Sequence, residues 1–347
     1  MINIDKNTKG VAMLDRVQWF VAGMSITLSV QLSQPVAAAV PAGKTVQTAQ
    51  SNSSGAADKL YKEGVQLYNQ GTASAKRSVI VKLEEALKLY RQAGDKRREP
   101  LSLLGIGKVY GDLGENQKAL EYYNQSLSLF RAVGDRSGEA VTLYNIGGTY
   151  SGLGENQKAL EYYSQSLSLS RAIGNRSGEA LTLNNAGLVY SELGEKQKAL
   201  EYYNQSLSLF RAVGDREGEA TALNNIGLVY SELGENQKAL EYYSQSLPMT
   251  RAVGDRDGEA VTLYNIASVK RRQNNLTEAL NDIESSLKII ENLRTENATP
   301  AFRTSYLSQL ENYYNFYIDL LMQLHQANPN SGYDIKASEA RKRAINL

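Results

Sequence analysis

The 347 residues carry 38 lysines and arginines against 37 aspartates and glutamates, a net charge of +1 that gives no general attraction for nucleic acid or anionic lipid. There is no cysteine and a single histidine, His325. Disulfides, thiolate metal sites, cysteine nucleophiles and histidine metal clusters are thereby excluded, and no cofactor or small-molecule substrate is expected.

Met1–Arg16 is polar and basic, Val17–Leu32 is mostly apolar and uncharged, and Pro35 precedes Ala37-Ala38-Ala39. A basic lead, a short apolar core and an Ala-x-Ala end are the pattern of an export signal. Residues 1–39 are therefore expected to be a signal peptide cleaved after Ala39, giving a periplasmic or secreted protein. The alternative is a membrane anchor at residues 17–32. That run is shorter than the ~20 residues a spanning helix needs, and it holds Gln18, Ser25 and Gln31. Residues 40–57, rich in Gln, Ser, Thr and Ala without apolar periodicity, read as a disordered linker.

The phrase Gly-Glu-Asn-Gln-Lys-Ala-Leu-Glu-Tyr-Tyr starts at Gly114 and recurs at Gly154, at Gly194 (with Lys196 for Asn) and at Gly234, a step of 40 residues. A fixed period in this range marks a stack built from one supersecondary unit. Residues 58–296 read as about six units, the first and last diverged. The first covers Asp58–Gln70 and Ile80–Ala93, with a loop insertion at Gly71–Ser78. Five more begin near Arg97, Ser137, Ser177, Glu217 and Asp257.

Each unit reads as a helical hairpin. In the unit that begins near Ser137, helix A runs from about Arg136 to Leu153 behind Asp135, whose carboxylate can take a first-turn amide. Gly154 follows, where a left-handed conformation costs glycine nothing. Helix B runs from about Asn156 to Ile173 and Gly174 closes it. Ala140, Leu143, Gly147 and Tyr150 form the buried stripe of helix A. Ala159, Leu160, Tyr163 and Leu167 form that of helix B, with Tyr162, Leu169 and Ile173 on a second side. Gly147 opposite Ala159 lets the two backbones approach closely.

Gly147, Ala159, Tyr150, Tyr163 and Leu143 fall where tetratricopeptide repeats (TPR) place their packing residues, and Asp-Arg-x-Gly-Glu-Ala recurs at the junctions. The chain resembles the long, 40-residue class of these repeats, which includes kinesin light chains and spindle-orientation adaptors. The resemblance implies an all-α fold, an α-solenoid of helical hairpins wound as a right-handed superhelix. The usual proline at a repeat's end is absent.

Two prolines bear on helix geometry. Pro100 stands where later units have Ala140 or Ala180, so helix A of the first full unit should begin there. Pro248 lies inside a helix B, where it removes a backbone bond, and a kink or opening is expected near Ser244–Pro248. Beyond Thr299-Pro300, a capping helix over residues 297–326 is expected. Phe302, Tyr306, Leu310, Tyr313, Tyr317, Leu320 and Leu324 would face the last repeat. Tyr314, Ile318 and Leu321 form a second apolar side with no evident cover. Residues 327–347 hold a turn, Asn328–Gly332, and the start of a further helical segment. Tyr317–His325, Asn328-Pro329, Gly332–Asp334, Glu339 and Arg341–Ala344 resemble the bridge before a CHAT domain, the caspase-like peptidase that bacterial proteins attach behind such arrays. The peptidase itself is missing from this sequence.

Copies differ mainly along one line of helix A: Ser137, Val141, Tyr144, Gly148, Gly152 and their equivalents. The spacing places them on one face. In TPR stacks helix A lines the inner, concave surface. Constant packing with a varying inner line fits recognition of a protein or peptide, and free drift of a solvated face gives the same pattern. Tyr144, Asn184, Asn224, Tyr264, Leu188 and Leu228 are the candidate contacts on that line. Beside it, Asn145, Asn185, Asn225 and Asn265 form a ladder. In the resembled adaptors an Asn at this position bonds the backbone of a bound peptide, and the alternative is a bond between helices inside the stack. Arg271 and Arg272 add a basic spot. The lysines and arginines of a carboxylate clamp for chaperone tails are lacking.

The composite expectation is a non-enzymatic binding scaffold. The alternative is the recruiting or restraining half of a CHAT-type protease system, and a third idea is self-assembly through the solenoid ends and the uncovered side of Phe302–Leu324. Intact-mass measurement of the exported protein should show loss of residues 1–39; a mass that retains them contradicts the signal-peptide reading.

Overall fold

The computed structural model describes residues 44–70, 73–296 and 300–345. The expected signal peptide and the alternative anchor lie outside the described residues. Among those residues there are fourteen α-helices and no strand. They are α1 (Lys44–Tyr68), α2 (Ala73–Ala93), α3 (Glu99–Asp112), α4 (Asn116–Val133), α5 (Arg136–Gly152), α6 (Asn156–Ala172) and α7 (Arg176–Glu192). The second half holds α8 (Lys196–Val213), α9 (Arg216–Glu232), α10 (Asn236–Val253), α11 (Arg256–Arg272), α12 (Leu276–Glu296), α13 (Pro300–Ala327) and α14 (Tyr333–Ile345). No described helix is long and apolar enough to cross a membrane.

The described residues divide within α7 into two compact units, 44–185 and 186–345. In both, consecutive helices pack as hairpins, and the hairpin termini follow the sequence signals. The Asp135, Asp215 and Asp255 side chains each accept the amide of the glycine three residues on, at 2.9 Å. Gly154 and Gly174 take φ of 75° and 71°, in the left-handed region that only glycine enters at no cost. Pro100 opens α3 in its first turn as expected.

Inside four of the hairpins the backbones are close because one side chain is reduced to hydrogen. A Cβ on Gly147 would lie 2.8 Å from the Tyr163 ring and 3.2 Å from the Ala159 carbonyl oxygen. Gly107 meets Tyr123 in the same way within the N-terminal unit, and Gly187 and Gly227 meet Tyr203 and Tyr243 in the C-terminal one. A second device recurs beside it. The buried hydroxyls of Ser126, Ser166, Ser246 and Ser286 donate to the carbonyls of Pro100, Ala140, Ala220 and Ala260 at 2.7–2.8 Å. Each such bond ties helix B to the first turn of helix A where water is excluded, so losing the acceptor would strand a buried hydroxyl.

Three expectations need correction. Lys44–Ala57 is not a linker but the first part of α1. Ala57 is fully buried with Ala86 and Tyr90, Tyr90 donates to Asp58 at 2.7 Å, and Ser54 donates to Asp95 at 3.1 Å. Its alanines and glutamines are adequate helix formers once a packed neighbour is supplied. The second apolar side of α13 is covered. Tyr314, Ile318 and Leu321 are buried, and α14 contributes Ala337 and Ala340 to the same core. That removes one of the two surfaces on which self-assembly rested, the side of the capping helix. Finally, α10 runs unbroken from Asn236 to Val253 through Pro248. The proline is exposed, while Tyr243, Ser246 and Thr250 on the other side are buried. The lost amide bond therefore falls toward water, which can serve the freed carbonyl, and the packed face holds the helix together.

Replacing Pro248 by serine, the residue at the matching place in three other copies, restores one amide bond without touching the core. Thermal denaturation should show a gain of about 1–3 kcal/mol; an unchanged or lower midpoint would show that the helix had already compensated.

Candidate functional site: the exposed line of the A helices

The A helices α5, α7, α9 and α11 contain long stretches with no charged residue, such as Val141–Gly152 and Thr221–Ser231. A helix without charges all round is buried nearly all round. That is the outcome in α5, where Thr142, Leu143, Asn145, Ile146, Gly147, Thr149 and Ser151 are buried and the varying line Ser137, Val141, Tyr144, Gly148 and Gly152 keeps contact with solvent. In α9, Glu217, Thr221, Leu228 and Glu232 do so, but Asn224 is buried. Asn184 and Leu188 of α7 are buried as well.

The asparagine ladder does not line an open wall. Asn145, Asn185, Asn225 and Asn265 are 5, 8, 2 and 4% exposed. The carboxamide nitrogen of Asn185 donates to the Tyr144 hydroxyl at 2.7 Å, and that of Asn265 donates to the Asn224 carbonyl oxygen at 3.3 Å. Thr262 reaches the same Asn224 oxygen at 3.3 Å, and Asn145 donates to the Val141 carbonyl of its own helix at 2.8 Å. The Asn185 and Asn265 bonds join one A helix to the next, whereas that of Asn145 stays within its own. The expected groove role is therefore corrected: a carboxamide brings one donor and one acceptor, and neighbouring helices use them before a visitor can. Burial pushes the Tyr144 hydroxyl well above its usual pKa, so it stays protonated as a donor and acceptor, although the Asn185 bond works the other way.

Tyr264 and Arg271 are likewise engaged within the chain. The Tyr264 ring lies 4.5 Å from Tyr313 and 5.2 Å from Phe316, both on α13. Arg271 donates to Gln323 at 3.0 Å and stacks 5.1 Å over Phe316. Arg272 is exposed but tied to Ser231, and burial of its guanidinium lowers its pKa. The variation at 144, 224 and 264 thus follows what each next helix offers: an asparagine, an asparagine with a threonine, or the aromatic rings of the cap.

The sequence reading missed Lys108 and Asp112 of α3, which stand where α5 has Gly148 and Gly152. They form an almost completely buried ion pair at 3.4 Å, and Tyr68 donates to the same carboxylate. Burial lowers the pKa of Lys108, with Asp112 opposing the shift. The signal was available as an i, i+4 pair on an otherwise apolar face.

What remains reachable on the A helices is a narrow strip of hydroxyl, glycine and aliphatic positions with charged residues at its ends, such as Glu217 and Glu232 on α9, suited to non-covalent contact. Among the described residues no group of His, Asp and Glu could hold a metal ion. His325 faces Asp334 at 3.7 Å on the opposite helix of the C-terminal hairpin.

The family model for the tetratricopeptide repeat matches residues 99–172, 138–212 and 218–292, more than half of the chain. No curated protein matches it. Among solved structures it is similar to aspartyl phosphate phosphatase F from Bacillus subtilis, with TM-score 0.64, 12% identity and coverage of 98% of this chain and 96% of that one. It is similar to a Rap protein complexed with competence and sporulation factor, with TM-score 0.57, 16% identity and coverage of 83% and 75%. It is also similar to PilF of Pseudomonas aeruginosa, with TM-score 0.50, 17% identity and coverage of 73% and 97%. At these identities the likeness is one of fold.

The seam makes a measurable claim. Asn185→Ala strands the buried Tyr144 hydroxyl and should lower stability by about 1–2 kcal/mol. In a double-mutant cycle with Tyr144→Phe the two losses should be non-additive by ~1 kcal/mol. A melting temperature untouched by Asn185→Ala would return that carboxamide to the groove.

Proposed function

Because the chain belongs to the tetratricopeptide repeat family, we propose that it is a non-enzymatic scaffold that holds a protein or peptide partner along the exposed line of its A helices. The observation that carries this reading is the contrast within each A helix. Every other side is committed to packing, while Ser137, Val141, Gly148 and Gly152 on α5 and Thr221 and Leu228 on α9 retain access to solvent. Small and hydroxyl side chains leave room for another chain and offer it hydrogen bonds. The partner would be recognised by this strip and not by the asparagine ladder. The protein is proposed to act outside the cytoplasm after removal of residues 1–39.

A second reading rests on the resemblance of Tyr317–Ala344 to the segment before a CHAT peptidase. In that reading the array recruits or restrains such an enzyme encoded separately. Coexpression with an adjacent CHAT reading frame, followed by co-purification, separates it from a scaffold for an unrelated partner.

The test of the first reading is capture of the partner by the full chain and peptide mapping of what is bound. A Cβ on Gly152 would have nothing within 4 Å, so Gly152→Arg fills the line without disturbing the stack. Combined with Ser137→Arg on the same helix it should weaken capture at least tenfold with little change in melting temperature. Capture that survives both substitutions, and is lost instead on Lys158→Glu of the exposed B-helix face, would place the partner elsewhere.

A further inference from the structure

The turns that lead from each helix B into the next helix A change charge along the chain. In the N-terminal unit, Arg91, Arg131 and Arg171 are each bonded to a glutamate, Glu99, Glu139 and Glu179, at 2.7–2.8 Å. That leaves Lys96, Arg97, Arg136 and Arg176, all exposed and with no ion pair among the described residues. Asp135, which accepts the Gly138 amide, offsets part of this charge, and the third turn has Asn175 in place of an aspartate.

In the C-terminal unit the same positions behave differently. Glu217 and Asp257 stand where the earlier copies have Arg97, Ser137 and Ser177. The arginines equivalent to Arg136 and Arg176 are drawn back: Arg216 lies 3.7 Å from Glu219, and Arg256 pairs with Glu259. Loss of surrounding water, and then the neighbouring carboxylates Asp255 and Asp215, raise the pKa of Glu217. Carboxylates that crowd one another in this way are stabilised by an incoming cation. Each edge also carries exposed aliphatic side chains, Ile173 on the basic one and Val213 and Val253 on the acidic one.

We propose that the basic turn edge of the N-terminal unit docks on the acidic turn edge of the C-terminal unit of a second copy of this chain. Charge complementarity selects the occupant. The basic edge needs a carboxylate-rich surface with apolar points at turn spacing, and the chain displays one built on the same 40-residue step. The charges set the register and the exposed aliphatic residues supply burial. A contact made of surface charges is weak and falls with salt.

Light scattering and sedimentation equilibrium of the full chain test this. At ~50 mM salt the mass should rise with concentration toward twice that of one chain, and at ~0.5 M salt it should return to that of a single chain. The triple variant Arg97→Glu, Arg136→Glu, Arg176→Glu and the double variant Glu217→Arg, Asp257→Arg should each lose most of the association. Their equimolar mixture should recover it, since one reversed edge then meets the other. All five positions are at the turns and none lies in the core, and circular dichroism checks that the helices are kept; the single change Arg136→Glu, with a partial loss expected, serves if the triple variant does not fold. A chain that stays monomeric at every salt concentration overturns the proposal, as does association indifferent to these reversals. Binding of labelled poly-glutamate by a monomer would likewise overturn it and assign the basic edge to an acidic partner.

Discussion

The fold depends on the place in four of the hairpins where a glycine lies against a tyrosine ring. Gly107, Gly147, Gly187 and Gly227 leave no room for even a methyl group beside Tyr123, Tyr163, Tyr203 and Tyr243. A large ring laid flat against bare backbone buries much apolar area and brings the two helices close. The serine bond accompanies this contact, as from Ser166 to the Ala140 carbonyl at 2.8 Å, and it persists at 2.7 Å from Ser286 to the Ala260 carbonyl, where Ala267 and Ile283 stand in place of the glycine and the tyrosine. The exposed B-helix lysines add the outer edge of the same arrangement: Lys158 lies 5.1 Å over the Tyr150 ring and pairs with Glu155, an interaction worth little beside the buried ones.

The parts of this design that repeat were legible in the sequence, because each has a short-range chemical signature. Asp135 is a cap whatever lies beyond it, and Gly154 ends a helix for reasons of its own backbone. The seams were not legible in the same way. Asn145 and its copies were placed beside the varying line on correct geometry, yet whether a side chain meets solvent or the next helix is decided by an element 40 residues away. The uncharged run Val141–Gly152 carried the correct answer, since a wall open to water would hold charged residues. The opposite error was made at Lys44–Ala57. A polar, aperiodic stretch was read as disordered, and Ala57, Ser54 and Asp58 anchor it to α2 and the turn at Asp95.

Near-identical tandem copies face a problem of ordering, because helix B of one unit is almost interchangeable with that of another. The seam residues make the copies distinct. Asn224 accepts from Asn265 and Thr262, so α9 is matched to a following helix that brings donors. Tyr264 presents a ring to Tyr313 and Phe316, so α11 is matched to the aromatic face of α13. Exchanging the two would press the Asn224 carboxamide against rings that offer it no partner, a burial costing about 1–3 kcal/mol.

The same logic fixes where the stack ends. Arg271 occupies the position that holds Ser151, Ser191 and Ser231 in the earlier A helices. Those serines are small and buried, and a long cation in their place would clash with a following repeat or lose its hydration. At the last repeat there is no further hairpin. The guanidinium lies over Phe316 and donates to Gln323 of α13, with Asp319 at 4.0 Å. An arginine stacked on an aromatic face and bonded at its edge keeps its charge solvated on one side and satisfied on the other. Tyr264 meets α13 as Tyr144 meets the following A helix, so the tyrosine alone does not end the stack, and it is Arg271 that accepts α13 and disfavours another copy of the repeat.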